Sequence, residues 1–81
     1  MARVIELALP SERTEAVPAE LRATDGVVGI ALHRGASLLP PGDVVTLRAS
    51  TGALEPVQRV LARHGIGSEA GTVATLEPRG L

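Results

Sequence analysis

The order in which two apolar periodicities follow one another along the chain is the feature that most constrains its fold. Residues 3–9, 27–34 and 43–49 place apolar side chains at every second position, as half-buried β-strands do, and residues 72–77 are predicted as a fourth strand. Apolar residues at helical spacing separate the first strand from the second and the third from the fourth. This βαββαβ order predicts an α+β, ferredoxin-like sandwich formed by one domain. Right-handed crossovers then place both helices on one face of a four-stranded antiparallel sheet, with strand order 4-1-3-2.

The first helix is predicted to begin at Ser11, because its hydroxyl can accept a hydrogen bond from a free backbone N–H. It is expected to end near Gly26, since glycine suits the left-handed conformation that closes a helix. Pro18 lies between these positions and lacks the N–H that a helix interior needs. The sequence therefore predicts a kinked or late-starting first helix.

The second helix is predicted to start at a Ser50 or Thr51 cap and to end at Gly65. Ile66 follows that glycine and is expected to pack back against the last helical turn. Between the second and third strands, residues 35–42 contain two prolines and two glycines, which predicts a loop rather than paired strands. A turn is predicted at residues 67–71.

Alternation along the strands divides the sheet into a face covered by the helices and an open face. The helix residues predicted to cover the first face are Val17, Leu21, Leu54, Val57 and Leu61. The strand residues predicted to meet them form the pairs Val28–Ala49, Ile30–Leu47 and Leu32–Val45.

The open face is predicted to carry small and mostly apolar side chains. Its candidate interface residues are Val4, Glu6, Gly29, Ala31, Val44, Thr46 and Arg48, with Ala8 and Val27 beside them. A solvated sheet face normally carries more charge, so another subunit or domain is expected to cover this one. Glu6 is the one unexpected acid, and Arg48 is its predicted cross-strand partner.

Composition excludes several functional classes. The 81 residues include no Phe, Tyr or Trp, so the aromatic platforms that bind single-stranded nucleic acid are missing. The net charge of −1 argues against an electrostatic grip on nucleic acid or anionic lipid. Without cysteine there is no disulfide framework or thiolate metal site. A small core of short aliphatic side chains also predicts marginal stability unless a partner is bound.

No grouping of residues predicts catalysis, so the chain is expected not to be an enzyme and to need no metal or cofactor. His33 and His64 lack metal-ligand spacing and are interpreted as solvated surface residues. The serines fall at caps and loops, outside any nucleophile motif. Two related classes remain as alternatives: a small-metabolite sensor like the ACT domains, although their loop signature is replaced by residues 10–13, and a small acylphosphatase-like enzyme.

Two segments carry a resemblance to a known family. One is Leu-Pro-Ser-Glu-Arg-Thr-Glu-Ala-Val at residues 9–17; the other spans residues 34–45 and contains Pro-Pro-Gly-Asp-Val-Val, with Thr-Leu-Glu-Pro following at 75–78. Together they resemble the N-terminal soluble region of actinobacterial members of domain-of-unknown-function family 389, which are multi-pass membrane proteins. The resemblance implies that residues 1–81 are the N-terminal part of a longer protein in the cell membrane, with this domain in the cytoplasm.

The function expected from these observations is a non-catalytic regulatory or assembly domain. Its expected partners are a second copy of itself or the membrane domain of the same parent chain, reached through the open sheet face. A small-molecule ligand is left open by the sequence, and nucleic acid is not expected as a partner.

Overall fold

The structure is a computed structural model that describes residues 2–66 and 72–76. Its elements, in chain order, are β1 (Ala2–Leu9), a 3-10 turn (Ser11–Arg13), α1 (Ala16–Arg22), β2 (Val27–Leu38), β3 (Pro41–Ser50), a second 3-10 turn (Thr51–Ala53), α2 (Leu54–Arg63) and β4 (Thr72–Leu76). The strands pair antiparallel in the order β2-β3-β1-β4, which is the predicted order counted from the opposite edge. The α+β prediction is confirmed, whereas the turn predicted at residues 67–71 lies outside the described residues.

The core lies between the two helices and one face of the sheet. Alternate residues of the two central strands are buried there, as the period of two predicts: Ile5, Leu7 and Leu9 on β1, and Val45, Leu47 and Ala49 on β3. The helices contribute the buried side chains Val17, Leu21, Val57, Val60 and Leu61, while Leu54 is partly buried against them. The predicted helix face of the core is therefore confirmed.

Pro18 explains where α1 begins. The chain after β1 first forms a 3-10 turn, and α1 starts at Ala16, so Pro18 is the third helical residue. An N–H at that position would have no intrahelical acceptor, and its absence therefore costs little. The predicted late start is confirmed. The predicted cap is wrong, because Ser11 lies inside the 3-10 turn and no side chain caps either segment.

The helix α1 also ends earlier than predicted, at Arg22. Gly26 does take the left-handed conformation, with a φ of 91°, but it does so in the turn that leads into β2. Its carbonyl accepts a hydrogen bond from the Ser50 amide at 2.9 Å. Gly26 thus joins the start of β2 to the end of β3 rather than closing the helix.

The end of α2 follows the prediction closely. Gly65 is left-handed, with a φ of 71°, and its amide donates to the Ala62 carbonyl at 3.0 Å. The Ile66 amide donates to the Leu61 carbonyl at 2.9 Å, which completes a Schellman motif, and the Ile66 side chain is buried. The predicted start is wrong, since neither Ser50 nor Thr51 caps α2 and a 3-10 turn leads into it.

A β-bulge at Val28 reverses the predicted orientation of the first residues of β2. Val27 pairs with Ala49 and Gly29 with Arg48, so Val28 is the extra residue between them. As a result Val27 packs against the core, and Val28 is 74% exposed instead of facing the helices. Beyond the bulge, the predicted pairs Ile30–Leu47 and Leu32–Val45 are confirmed, but Leu32 is 37% exposed, so its predicted place in the core is wrong.

The loop predicted at residues 35–42 is instead the end of a long hairpin. The strand β2 continues to Leu38, β3 starts at Pro41, and the two residues pair across a tight turn. Pro41 is tolerated because it is the first residue of its strand. A second irregularity between His33 and Ser37 absorbs the glycine-rich sequence that suggested a loop.

Candidate functional site

The open face of the sheet brings together all seven residues predicted for it. The pairing register arranges them in cross-strand rows: Val4, Arg48 and Gly29 in one, and Glu6, Thr46 and Ala31 in the next, followed by Ala8, Val44 and His33. Both helices cover the opposite face, so no described helix lies over these rows. Apart from Glu6, Arg48 and His33, these residues have short side chains or none, so a second sheet can approach much of this surface closely.

The two charges on this face lie apart from each other in the register. Glu6 is opposite Thr46 on β3 and Ala74 on β4, while Arg48 is opposite Val4 and Gly29. The predicted Glu6–Arg48 ion pair is absent from the described contacts. The stem of Arg48 instead leans over Gly29, since a Cβ on that glycine would lie 3.7 Å from the Arg48 Cδ.

Asp43 anchors the hairpin to the rest of the fold. It is the only acid among the described residues that is buried, with 6% of its surface exposed. The Thr14 hydroxyl donates to its Oδ2 at 2.6 Å, and the Gly35 amide donates to its Oδ1 at 2.7 Å. These two hydrogen bonds, together with the nearby charge of Arg34, lower the pKa of Asp43. The carboxylate therefore ties the segment after β1 to the part of the hairpin that lies near its turn.

A second polar cluster joins the two helices. Glu20 of α1 accepts a hydrogen bond from Arg63 Nη2 at 2.8 Å and contacts His64 Nε2 at the end of α2. Hydrogen bonds from Arg63 and His64 lower the pKa of Glu20. The expectation of a solvated His64 is wrong, because only 15% of its side chain is exposed. No described hydroxyl group bonds to His64, so the cluster lacks the nucleophile that a catalytic dyad would activate.

A shallow cleft of about 420 Å³ lies at the free edge of β2. Its lining residues are Arg22, Val27, Val28, Gly29 and Ile30. The lining is polar and apolar in about equal parts, and Arg22 supplies a guanidinium that forms no ion pair with another described residue. One sequence feature could have indicated this cleft, because a glycine within a strand, here Gly29, often marks a bulge.

The exposed large hydrophobic side chains of the described residues are concentrated on one element. All four lie on β2 or its turn: Val28, Leu32, Leu38 and Leu39. At the tip of the hairpin, Leu38 and Leu39 are 88% and 90% exposed. Sequence patterns do not reveal this set, because alternation places Val28 and Leu32 in the core and the prolines and glycines place the two leucines in a loop.

Neither a metal site nor a membrane span is found among the residues that the structure describes. No group of three His, Cys, Asp or Glu side chains within residues 2–66 and 72–76 is arranged to hold a metal ion. None of the helices in those ranges has the length and hydropathy needed to cross a bilayer.

Comparison with known proteins shows the fold. The sequence matches no protein-family model and no curated protein. Among solved structures, it is similar to CPII from Thiomonas intermedia K12, which was solved with ADP, AMP and acetate bound. The TM-score is 0.71, and the 13% identity spans 91% of this chain and 82% of that one. It is also similar to Rv0793 from Mycobacterium tuberculosis, with a TM-score of 0.58 and 21% identity over 99% of this chain and 96% of that one.

Proposed function

We propose that this chain is a non-catalytic regulatory module that acts by self-association through its open sheet face. The observation that carries the proposal is the three cross-strand rows of that face, in which six of the nine residues are Gly, Ala, Val or Thr and which no described helix covers. In a sheet with one buried face, the other face is normally rich in charge, whereas here Glu6, Arg48 and His33 are the titratable groups of the three rows.

Self-association also suits the size of the core. The buried side chains of the described core are all aliphatic and mostly valine, leucine and alanine, each of which buries less area than an aromatic side chain. A partner that binds only the folded state adds stability by mass action. The role is regulatory because the concentration of the chain sets the fraction of molecules that are both folded and assembled.

The proposal is tested with a charge at the centre of the face. Thr46 lies on the central strand β3 between Glu6 and Ala31, so Thr46→Arg places a guanidinium in the middle of the proposed contact. Light scattering over a wide concentration range is expected to give a lower mass for Thr46→Arg and for Ala31→Arg than for the wild type. The matched control is Gln58→Arg, which adds the same charge on an exposed position of α2. A wild type that stays at 8.3 kDa at every concentration contradicts the proposal.

A second candidate function is the sensing of a small anionic metabolite. The cleft at the edge of β2 supports it, because Arg22 presents a planar donor suited to carboxylate or phosphate beside the valine and isoleucine residues of the lining. The similarly folded CPII was solved with ADP, AMP and acetate bound. Thermal melts followed by far-UV circular dichroism, with those compounds and with amino acids, test this candidate. A rise in Tm with one compound class that Arg22→Gln abolishes supports sensing, and no rise with any of them opposes it.

The resemblance to family 389 suggests a further partner for the same face. If the parent chain carries a hydrophobic domain, the open face is the surface proposed to dock on it. The longer protein would then lose this docking with Thr46→Arg and keep it with Gln58→Arg, as measured by protease protection of the domain in membranes.

A further inference from the structure

The open face carries one acid and one base, each on one of the two central strands, that pair with no described residue. Glu6 lies on β1 and Arg48 on β3, and both residues are exposed. Neither makes a hydrogen bond or an ion pair with any residue in the part of the chain that the structure describes. The ion pairs described above all involve α1, α2 or the residue that follows α2, on the other side of the sheet.

Within one chain, Glu6 and Arg48 lie within reach of each other but do not pair. Glu6 is opposite Thr46, and Arg48 is two residues further along the same strand, which makes a diagonal of roughly 7–8 Å. A Cβ on Gly29 would lie 3.7 Å from the Arg48 Cδ, so the stem of Arg48 leans toward β2. Because β3 lies between β2 and β1, this is the side away from Glu6. Both charges therefore remain available to a group outside the chain.

Covering the open face makes these two charges decisive for the choice of partner. The proposed contact removes both from water, and a buried charge is tolerated only when it is paired and hydrogen-bonded. A partner must therefore place a base over Glu6 and an acid over Arg48. A second copy of the same face supplies both groups, one on each of its own central strands.

We infer that two copies join face to face so that Glu6 of each chain pairs with Arg48 of the other. This inference rests on the proposed self-association and names the contacts that set its register. An isologous contact is reciprocal, so the two-fold axis that brings Glu6 over Arg48 of the second copy also brings Arg48 over Glu6 of that copy. Each dimer then holds two ion pairs and leaves none of these four charges unpaired. Gly29 beside Arg48 and Thr46 beside Glu6 leave room for the opposing side chains.

The two ion pairs also give the contact its specificity. Six of the nine residues in the three rows are Gly, Ala, Val or Thr, and such short side chains allow many registers between two sheets. A displaced register separates each charge from its counterpart and leaves it desolvated without a partner. Electrostatic complementarity of this kind selects one arrangement against the others.

Charge reversal in separate chains tests the inference. In Glu6→Arg, and likewise in Arg48→Glu, both pairs of the dimer would join like charges, so each variant alone is expected to dimerise roughly 30-fold more weakly than the wild type, or weaker still. An equimolar mixture of the two variants restores opposite charges at both contacts of a mixed dimer. Its dissociation constant is expected to return to within roughly tenfold of the wild-type value. Sedimentation velocity over a range of concentrations measures each constant, after far-UV circular dichroism has established that the variants fold.

A matched pair of variants on α2 controls for net charge. Glu55→Arg and Arg59→Glu change the charge by the same amounts, and the two side chains are 84% and 61% exposed on the helix side of the molecule. Each is expected to dimerise like the wild type, and mixing them is expected to change nothing. If mixing strengthens association as much in this pair as in the first, the overall charge of the chains is responsible and the inference is overturned.

The outcomes separate the ion pairs from the self-association on which they rest. A wild type that stays monomeric overturns the proposed function, and the inference with it. A wild type that associates, while the mixture of Glu6→Arg with Arg48→Glu dimerises no more tightly than either variant alone, overturns only the inference. The same holds if Thr46→Arg abolishes association and neither charge reversal weakens it.

Discussion

Replacing one leucine by alanine at a buried and at an exposed position tests how the structure divides its apolar residues between core and surface. Leu21 is fully buried on α1, among the core side chains of the sheet and of α2, whereas Leu39 at the hairpin tip is 90% exposed. The chemistry of the substitution is identical at the two sites. Any difference in the free energy of unfolding therefore reports the surroundings of the side chain.

The expected cost of Leu21→Ala is about 3 kcal/mol, within the range of roughly 2–5 kcal/mol for buried leucines. A domain of 81 residues has a total stability on the order of 4–12 kcal/mol, so this single change removes a large share of it. For a domain of this size the loss corresponds to a fall in Tm of roughly 12–24 °C. Leu39→Ala is expected to change the free energy of unfolding by less than about 0.5 kcal/mol.

Urea unfolding followed by far-UV circular dichroism is the suitable assay, since the chain has no aromatic residue to report by fluorescence. The protein is kept dilute, so that loss of association does not enter the comparison. If Leu21→Ala costs less than about 1 kcal/mol, or Leu39→Ala costs as much as Leu21→Ala, the assignment of core and surface is refuted.

Three further predictions concern the polar contacts and one turn. Asp43 has a lowered pKa in the folded chain, so its stabilising effect is present above its unfolded pKa and is lost as the pH falls through the folded value. Urea unfolding across the acid range should show this loss of stability. Asp43→Asn should make the stability depend less on pH. The pKa of Glu20 is also lowered, so Glu20→Gln should lower stability at neutral pH but make little difference once the carboxylate is protonated. A variant as stable as wild type at pH 7 would contradict the described contact between the helices. Gly65→Ala should cost about 1 kcal/mol because its φ is 71°, whereas Gly52→Ala, which meets open space without a left-handed φ, should cost less; equal costs would contradict the described end of α2.

Local patterns were sufficient to predict the order of the elements and most of the core. On β1 and β3 the alternation runs without interruption, so the buried and open faces follow from the sequence alone. The end of α2 was also predictable, since the Schellman motif depends on neighbouring residues such as Gly65 and Ile66.

The errors arose where pairing between strands overrides a local pattern. Counting by twos across Gly29 placed Val28 in the core, but the bulge adds one residue and turns it outward. Proline and glycine suggested a loop after Gly35, whereas pairing with β3 continues the hairpin to Leu38. A β-bulge is selected by the register of the partner strand, which single-sequence periodicity does not contain.

Long-range polar contacts were out of reach for a different reason. The Thr14–Asp43 hydrogen bond joins residues 29 positions apart, and the Glu20–His64 contact joins residues 44 positions apart. Each of these residues alone fits an ordinary surface position of a helix, turn or strand end. Only the fold brings the partners together. The Thr14–Asp43 hydrogen bond and the Glu20–His64 contact between the helices could therefore not be predicted.

Intermolecular contacts between methyl groups test the central claim, self-association through the open face, most directly. A mixed sample of isotope-labelled and unlabelled chains allows isotope-filtered NOE spectra to report only contacts between copies. Self-association through this face predicts intermolecular cross-peaks from the methyl groups of Ala31, Val44 and Thr46, and none from Val57 in the buried core. A concentrated sample whose open-face methyl groups give no intermolecular cross-peak would contradict it.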